Sequence, residues 1–179
     1  MEESNKKYLS TAFLQLSFAI KLWNYIDLYG IDKENFDGSL IIKESGERIQ
    51  FPENEFDSND DILIASENNI SISFGAAVIT LWEAIKDKGR FSPNRLPNPL
   101  LTVEQKTAGL IYMIRCCFAH GAAIPKWHIT NDKYKIVYHV GTKSIDLRSV
   151  SGNKFDYKTI KGYNTLVELR DIALNHNML

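Results

Sequence analysis

The sequence predicts a mainly α fold, four helices interrupted by two small β-hairpin insertions, in a single domain spanning residues 1–179. Three observations carry this expectation. Apolar residues recur at three- and four-residue spacing over four separate stretches. Glycine, proline and capping residues stand at their ends. Two short β-branched runs each fold back across a turn-forming segment. With 179 residues the chain can bury one sizeable core and is short for two without a clear linker. A hydrophobic share of 44% beside 24% charged residues places it among globular rather than disordered chains.

The first helix is expected over about residues 4–29. Leu9, Ala12, Phe13, Leu16, Ala19, Ile20, Trp23 and Ile26 form one face, and Gly30 supplies the stop. Leu14, Phe18, Leu22 and Tyr25 add a second apolar flank, wider than one-sided burial requires, so this helix has surface to spare for a partner subunit. Leu40-Ile41-Ile42-Lys43 and Arg48-Ile49-Gln50-Phe51 then flank a Glu44-to-Glu47 turn as the first hairpin. Asp60 and Asp61 are helix starters for Ile62 to Ala65, with an interruption expected at Asn68-Asn69. The firmer second helix runs from Ser71 to Lys88, with Ile72, Ala76, Ile79, Trp82, Ala84 and Ile85 inward and Gly89 as its end.

Pro93, Pro97 and Pro99 make residues 90–101 a connecting loop, because proline cannot continue a helix and biases the residue before it to extended geometry. Thr102 with Gln105 three positions on is a capping-box pattern. It opens a third helix with Val103, Thr107, Leu110, Ile111, Ile114, Cys117 and Phe118 inward, ending between Ala119 and Gly121. Tyr134 to Val140 and Ser144 to Val150 form the second hairpin around Gly141-Thr142-Lys143, with Val137 set against Ile145 and Leu147. Tyr163 to Asn175 is the fourth helix, carrying Leu166, Leu169, Arg170, Ile172, Ala173 and Leu174.

Composition narrows the function classes. No uninterrupted apolar run reaches the length of a membrane span, and the start MEESNKK lacks the apolar core of a secretory signal, so the expected address is the cytoplasm, with no membrane partner. Cys116 and Cys117 are neighbours on a helix, where successive side chains diverge by about 100°, and read as free thiols. A net charge of -1 gives no global basic field, so specific DNA binding is not expected and any nucleic-acid contact needs a local patch. There is no glycine-rich phosphate loop, serine nucleophile elbow or His-Glu metalloprotease pattern.

The stretch MIRCCFAHGAAIPKW, Met113 to Trp127, carries the chemistry. Arg115 can grip phosphate oxygens with two parallel donors, and His120 titrates near neutral pH and can move a proton to or from a ribose 2′-hydroxyl. Together they are the minimum for RNA cleavage without a metal or other cofactor. An imidazole at a helix C-terminus is also favoured in its charged form by the carbonyl end of the helix. Five residues at about 100° each set Arg115 and His120 roughly 140° apart on a continuous helix. Either the helix unwinds at Ala119, or two chains combine their pairs.

At IRCCFAHG the chain resembles the HEPN superfamily, whose members carry an Arg, a spacer of four to six residues and a His at the end of a helix. The resemblance implies a four-helix up-and-down bundle with hairpin insertions, usually a homodimer with the two motifs facing across the interface. It also implies a metal-independent endoribonuclease of a toxin or defence system, with Arg115 and His120 catalytic, RNA as substrate and an antitoxin as candidate partner. Cleaving members commonly place a polar residue, often Asn, directly after the Arg, and here that position is Cys116. The alternative is a non-catalytic dimeric RNA- or protein-binding module of the same shape.

Each residue also has a plainer role. His120 can cap the last carbonyls of its helix, and Arg115 can pair with a carboxylate. Lys126, Trp127 and His128 form a candidate platform for single-stranded RNA, an aromatic face flanked by cations, while the plainer and favoured role of Trp127 is to staple its loop back onto the bundle. Cys116, Cys117, His120 and His128 have zinc-ligand chemistry, but adjacent cysteines on a helix point apart and no second cysteine pair exists, so no metal is expected.

Overall fold

A computed structural model describes residues 2–38, 41–44, 47–50, 53–119, 121 and 124–179, with side chains over 7–38, 53–119, 121 and 124–179. The protein is mainly helical. Among the described residues the order is α1 (Glu2–Tyr29), α2 (Lys33–Phe36), β1 (Ile41–Glu44), β2 (Glu47–Gln50), α3 (Asn59–Asp87), α4 (Val103–Ala119), β3 (Val137–Val140), β4 (Lys143–Asp146) and α5 (Asn164–Asn175). Both hairpins are antiparallel, β1 on β2 from Ile41↔Gln50 to Glu44↔Glu47 and β3 on β4 from Val137↔Asp146 to Val140↔Lys143. The chain divides into two compact units, Met1–Gln15 with Ser71–Leu179, and Leu16–Ile70.

The larger unit is built around α3 and α4. The expected inner face of α3 holds at Trp82 and Ile85, which are buried, and is corrected at its start: Ile72 is 52% exposed and Ala76 is exposed, while Phe74, Val78 and Leu81 are fully buried. Both sets satisfy helical spacing, and the buried one includes the phenyl ring that removes the most apolar surface from water. Phe74 sits among Phe118, Phe155, Tyr157 and Tyr163, with ring centroids 5.2 to 6.3 Å away. On α4, Leu110, Ile111, Ile114, Cys117 and Phe118 point inward as the spacing predicts, but Val103 is 54% exposed.

Gly75 lets α3 and α4 approach: a Cβ there would lie 2.8 Å from Cδ1 of Phe118. Phe118 cannot yield easily, because Phe74 and Phe155 hold its ring at 5.4 and 4.9 Å. Gly75→Val is therefore expected to destabilise the protein by about 1–3 kcal/mol through overpacking. A urea midpoint that falls with an unchanged slope would show it.

Helix α4 begins where its capping box sets it. Gln105 N–H donates to Thr102 Oγ1 at 3.3 Å, and Gln105 Oε1 accepts from Leu101 N and Thr102 N at 2.9 and 3.1 Å. In the same turn, Glu104 is held at about 2, down from an ordinary 4.5, first by the backbone N–H it accepts, then by Thr102 and His176, whose Nδ1 lies 3.0 Å from Glu104 Oε1. A depressed carboxylate gives stability that is complete above its unfolded value and lost as pH falls toward its folded one. Glu104→Gln is expected to flatten the acid limb of stability between about pH 4.5 and 2, measured by thermal melts across that window.

The β3–β4 hairpin packs with α4 and α5. Tyr138 and Val140 turn inward, Tyr138 opposite Ile145, so the expected Val137 alignment is one residue out of register. A slip of one reverses every side chain, and burial of the Tyr138 ring, with its hydroxyl donating to Tyr134 O at 3.2 Å, decides the register. Lys143 Nζ reaches Glu168 Oε1 at 2.6 Å and Thr165 Oγ1 at 3.2 Å, fixing the hairpin to α5. Arg170 lies over the Phe13 ring at 4.7 Å, which ties the start of α1 to α5.

The smaller unit holds the rest of α1, α2, the first hairpin and the start of α3. Gly30 ends α1 with φ +73, a left-handed conformation that favours glycine, and its N–H donates to Ile26 O at 2.8 Å. Asp32 caps the one-turn α2, which the sequence pattern did not resolve. Buried Asp37 accepts from Phe56 N at 2.8 Å, and Asn59 Oδ1 accepts from Lys33 N at 3.1 Å, fastening the chain before α3 to α2. Helix α3 then runs unbroken through Asn68-Asn69, correcting the expected interruption. Asparagine costs a helix only about 0.7 kcal/mol, and burial of Ile62 and Ile70 on either side outweighs that.

By length and composition helix α3 is long and apolar enough to cross a membrane, although no uninterrupted apolar run in it reaches that length, and its middle carries no charge from Ile70 to Trp82. Its apolar window is 44% buried inside the protein. The turn residues of the first hairpin, Ser45 and Gly46, lie outside the described residues.

Candidate functional site

Helix α4 carries Arg115, Cys116 and Cys117 near its C-terminus and stays helical to Ala119. His120 lies outside the described residues, and Gly121, the next one described, donates to Phe118 O at 3.4 Å. Arg115 is half-buried, and its Nε is buried without a hydrogen-bond partner. No carboxylate pairs with it among the described residues. Its guanidinium lies close enough to Tyr112 to pull that hydroxyl's pKa down, against a larger upward push from burial and from the neighbouring Cys116 thiol. Tyr134 stacks beside Tyr112 with centroids 5.6 Å apart. Burial, then Tyr112 and Cys116, push its hydroxyl up to about 12, and that oxygen has no hydrogen-bond partner either.

The two cysteines are free thiols with different surroundings. Cys117 is buried and donates from Sγ to Met113 O at 3.3 Å, and burial pushes its pKa well up, so it is an inert core residue. Cys116 is half-buried and, with Cys117, borders a cleft of about 480 Å³ that Gly121, Ile124, Lys126, Trp127, His128 and Gly152 also line. The structure thus brings Lys126, Trp127 and His128 together against the end of α4. Arg115 is on the adjoining part of α4 and is not part of the cleft lining.

Beyond Ile124 the chain is extended. Pro125, Trp127 and Ile129 are buried while Lys126 and His128 are exposed, a period of two that runs alongside residues 151–155. Trp127 N donates to Asn153 O at 2.9 Å, Phe155 N to Pro125 O at 2.8 Å, and Gly152 N to Trp127 O at 2.8 Å. Gly152 adopts φ +89 and leaves open space where a side chain would stand. Trp127 is 1% exposed and packs on Phe155 at 5.3 Å. Its faces are occupied in this conformation, so it floors the cleft, whereas Lys126 and His128 are free to meet a ligand.

The sequence pattern missed Lys154, which faces Lys126 across an antiparallel bridge. The alternation from Lys154 through Phe155 to Asp156 was the available signal, but at three residues it is too short to stand out from loop. Tyr112 and Tyr134 were missed because aromatics at helical or strand spacing read as core. Comparison with protein-family models, curated proteins and solved structures finds no match to this chain.

Proposed function

We propose that the chain is a HEPN-like, metal-independent endoribonuclease of a toxin or defence system, a cytoplasmic four-helix up-and-down bundle that works as a homodimer with Arg115 and His120 as its catalytic pair. The observation that carries the proposal is Arg115. Arg115 is half-buried, its Nε is buried without an acceptor, and no carboxylate stands beside it among the described residues, so part of the guanidinium gives up hydration that no protein group described replaces. An incoming phosphate supplies the missing partner in the bidentate geometry that arginine favours.

In this mechanism Arg115 steadies the non-bridging oxygens of the scissile phosphate. His120 takes the proton of the 2′-hydroxyl, the 2′-oxygen bonds to phosphorus as the P–O5′ bond breaks, and the departing 5′-oxygen takes a proton from water, leaving a 2′,3′-cyclic phosphate. Because α4 is helical to Ala119, Arg115 and the following residues diverge around the axis, which favours a site assembled from two chains. An exposed stripe on α1 suits a second copy: Leu14, Phe18, Tyr25, Leu28 and Tyr29 are 58% to 74% exposed and lie within an arc of roughly 100°. An antitoxin is the other candidate partner.

A non-catalytic RNA- or protein-binding module of the same shape is favoured by one observation, the thiol of Cys116 directly after Arg115 where an amide is common in cleaving members. Incubating the purified protein with mixed RNA and a chelator separates the two. New 2′,3′-cyclic phosphate ends are expected of the enzyme. Bound but intact RNA, or no RNA bound, would leave the module.

A further inference from the structure

Lys126 and Lys154 are an isolated antiparallel pair, and the hydrogen bonds around them define its geometry. Trp127 N to Asn153 O and Phe155 N to Pro125 O both lie outside the pair, which makes it a non-hydrogen-bonded pair, the kind whose Cα atoms approach to about 4.5 Å with side chains on one face. Both lysines are exposed, and among the described residues neither ammonium has a carboxylate partner. Asp156, the nearest acid along the strand, turns Oδ1 onto Lys158 N at 2.8 Å. Like charges placed directly opposite each other weaken a strand pair unless an anion lies between them.

Lys126 lines the cleft at the end of α4, and His128, two residues on and also exposed, lines it beside Gly152, where no side chain blocks the way. We propose that Lys126 and Lys154 are a clamp for a backbone phosphate of single-stranded RNA, held at the cleft edge away from the bond that is cut. Two ammonium groups match the charge of a phosphodiester and its neighbour without reading sequence. The identity of the polymer rests on the endoribonuclease reading, whereas the phosphate chemistry of the pair does not.

The test uses the full chain and a short fluorescent RNA with 2′-O-methyl groups, which cannot be cut because the attacking hydroxyl is blocked. Anisotropy is followed across a salt series, with inorganic phosphate as a separate ligand. Lys126→Gln and Lys154→Gln are each expected to reduce the slope of log affinity against log salt by about 0.7, and the double variant by about 1.4, with affinity down on the order of tenfold. Lys154→Arg should keep the slope of the unaltered protein. If the unaltered protein binds RNA and both glutamine variants bind it with the same affinity and slope, the clamp is overturned, while the cleavage reading stands or falls separately on Arg115→Ala. Lysine-dependent binding of inorganic phosphate without binding of the oligonucleotide overturns RNA as the source of the phosphate. Binding of neither overturns the clamp outright.

Discussion

Arg115→Ala is expected to lower RNA cleavage on the order of 10³-fold while the far-ultraviolet spectrum and oligomeric state stay as they are. The reason is asymmetric. In the free protein Arg115 has no acid partner among the described residues and its Nε has no acceptor, so alanine removes no ion pair described there. In the transition state the same group faces charge building on the phosphate oxygens, where a preorganised cation in a partly desolvated site counts for far more than in water. Arg115→Lys should recover only a small part, since an ammonium cannot present two parallel donors. His120→Ala should match the loss, because residues that act as a unit do not add. Cleavage at an unchanged rate in both variants would remove them from the mechanism.

Phe74→Ala is expected to destabilise the protein by about 3–5 kcal/mol, enough to unfold a domain of ordinary stability in part. Phe74 is fully buried and holds four other rings around it, so truncation leaves a cavity whose walls cannot all move inward. It also frees Phe118 and Phe155, which join α4 to the segment that carries the Lys126–Lys154 pair. Loss of stability in urea, with RNA affinity falling in parallel, is the expected pattern. Phe74→Leu, which refills most of the volume, should restore the greater part of both.

Much of this architecture is legible in the sequence, for reasons that differ by element. Helix α4 was readable because Thr102 and Gln105 mark its start through side-chain bonds that are local in the chain. The end of α1 was readable because Gly30 is needed at a left-handed position. Helix α3 was misjudged because its apolar residues fit helical spacing on two faces, and tertiary packing of Phe74 and Val78, invisible to a local pattern, selects between them. The same blindness put a break at Asn68-Asn69, where a weak local breaker is outweighed by buried isoleucines.

At the site, the residue types at Arg115, Lys126 and His128 have the chemistry to meet a phosphate, but residue type does not give their placement. Lys154 meets Lys126 only because the chain returns antiparallel some 28 positions later, a contact no window of sequence contains. Trp127 looked like a stacking platform because exposure cannot be read from identity, and Phe155, its partner in the core, is equally distant in the chain.

The measurement that bears most directly on the central claim is the thermal midpoint of Arg115→Met against that of the unaltered protein. If Arg115 is an uncompensated charge kept for an incoming phosphate, methionine, of similar length and apolar, should leave the midpoint equal or raise it, because the cost of withdrawing a lone charge from water disappears. A fall of about 4 °C or more, equivalent to one to two kcal/mol for a chain of this size, would mean that the guanidinium is a structural partner after all and would contradict the account.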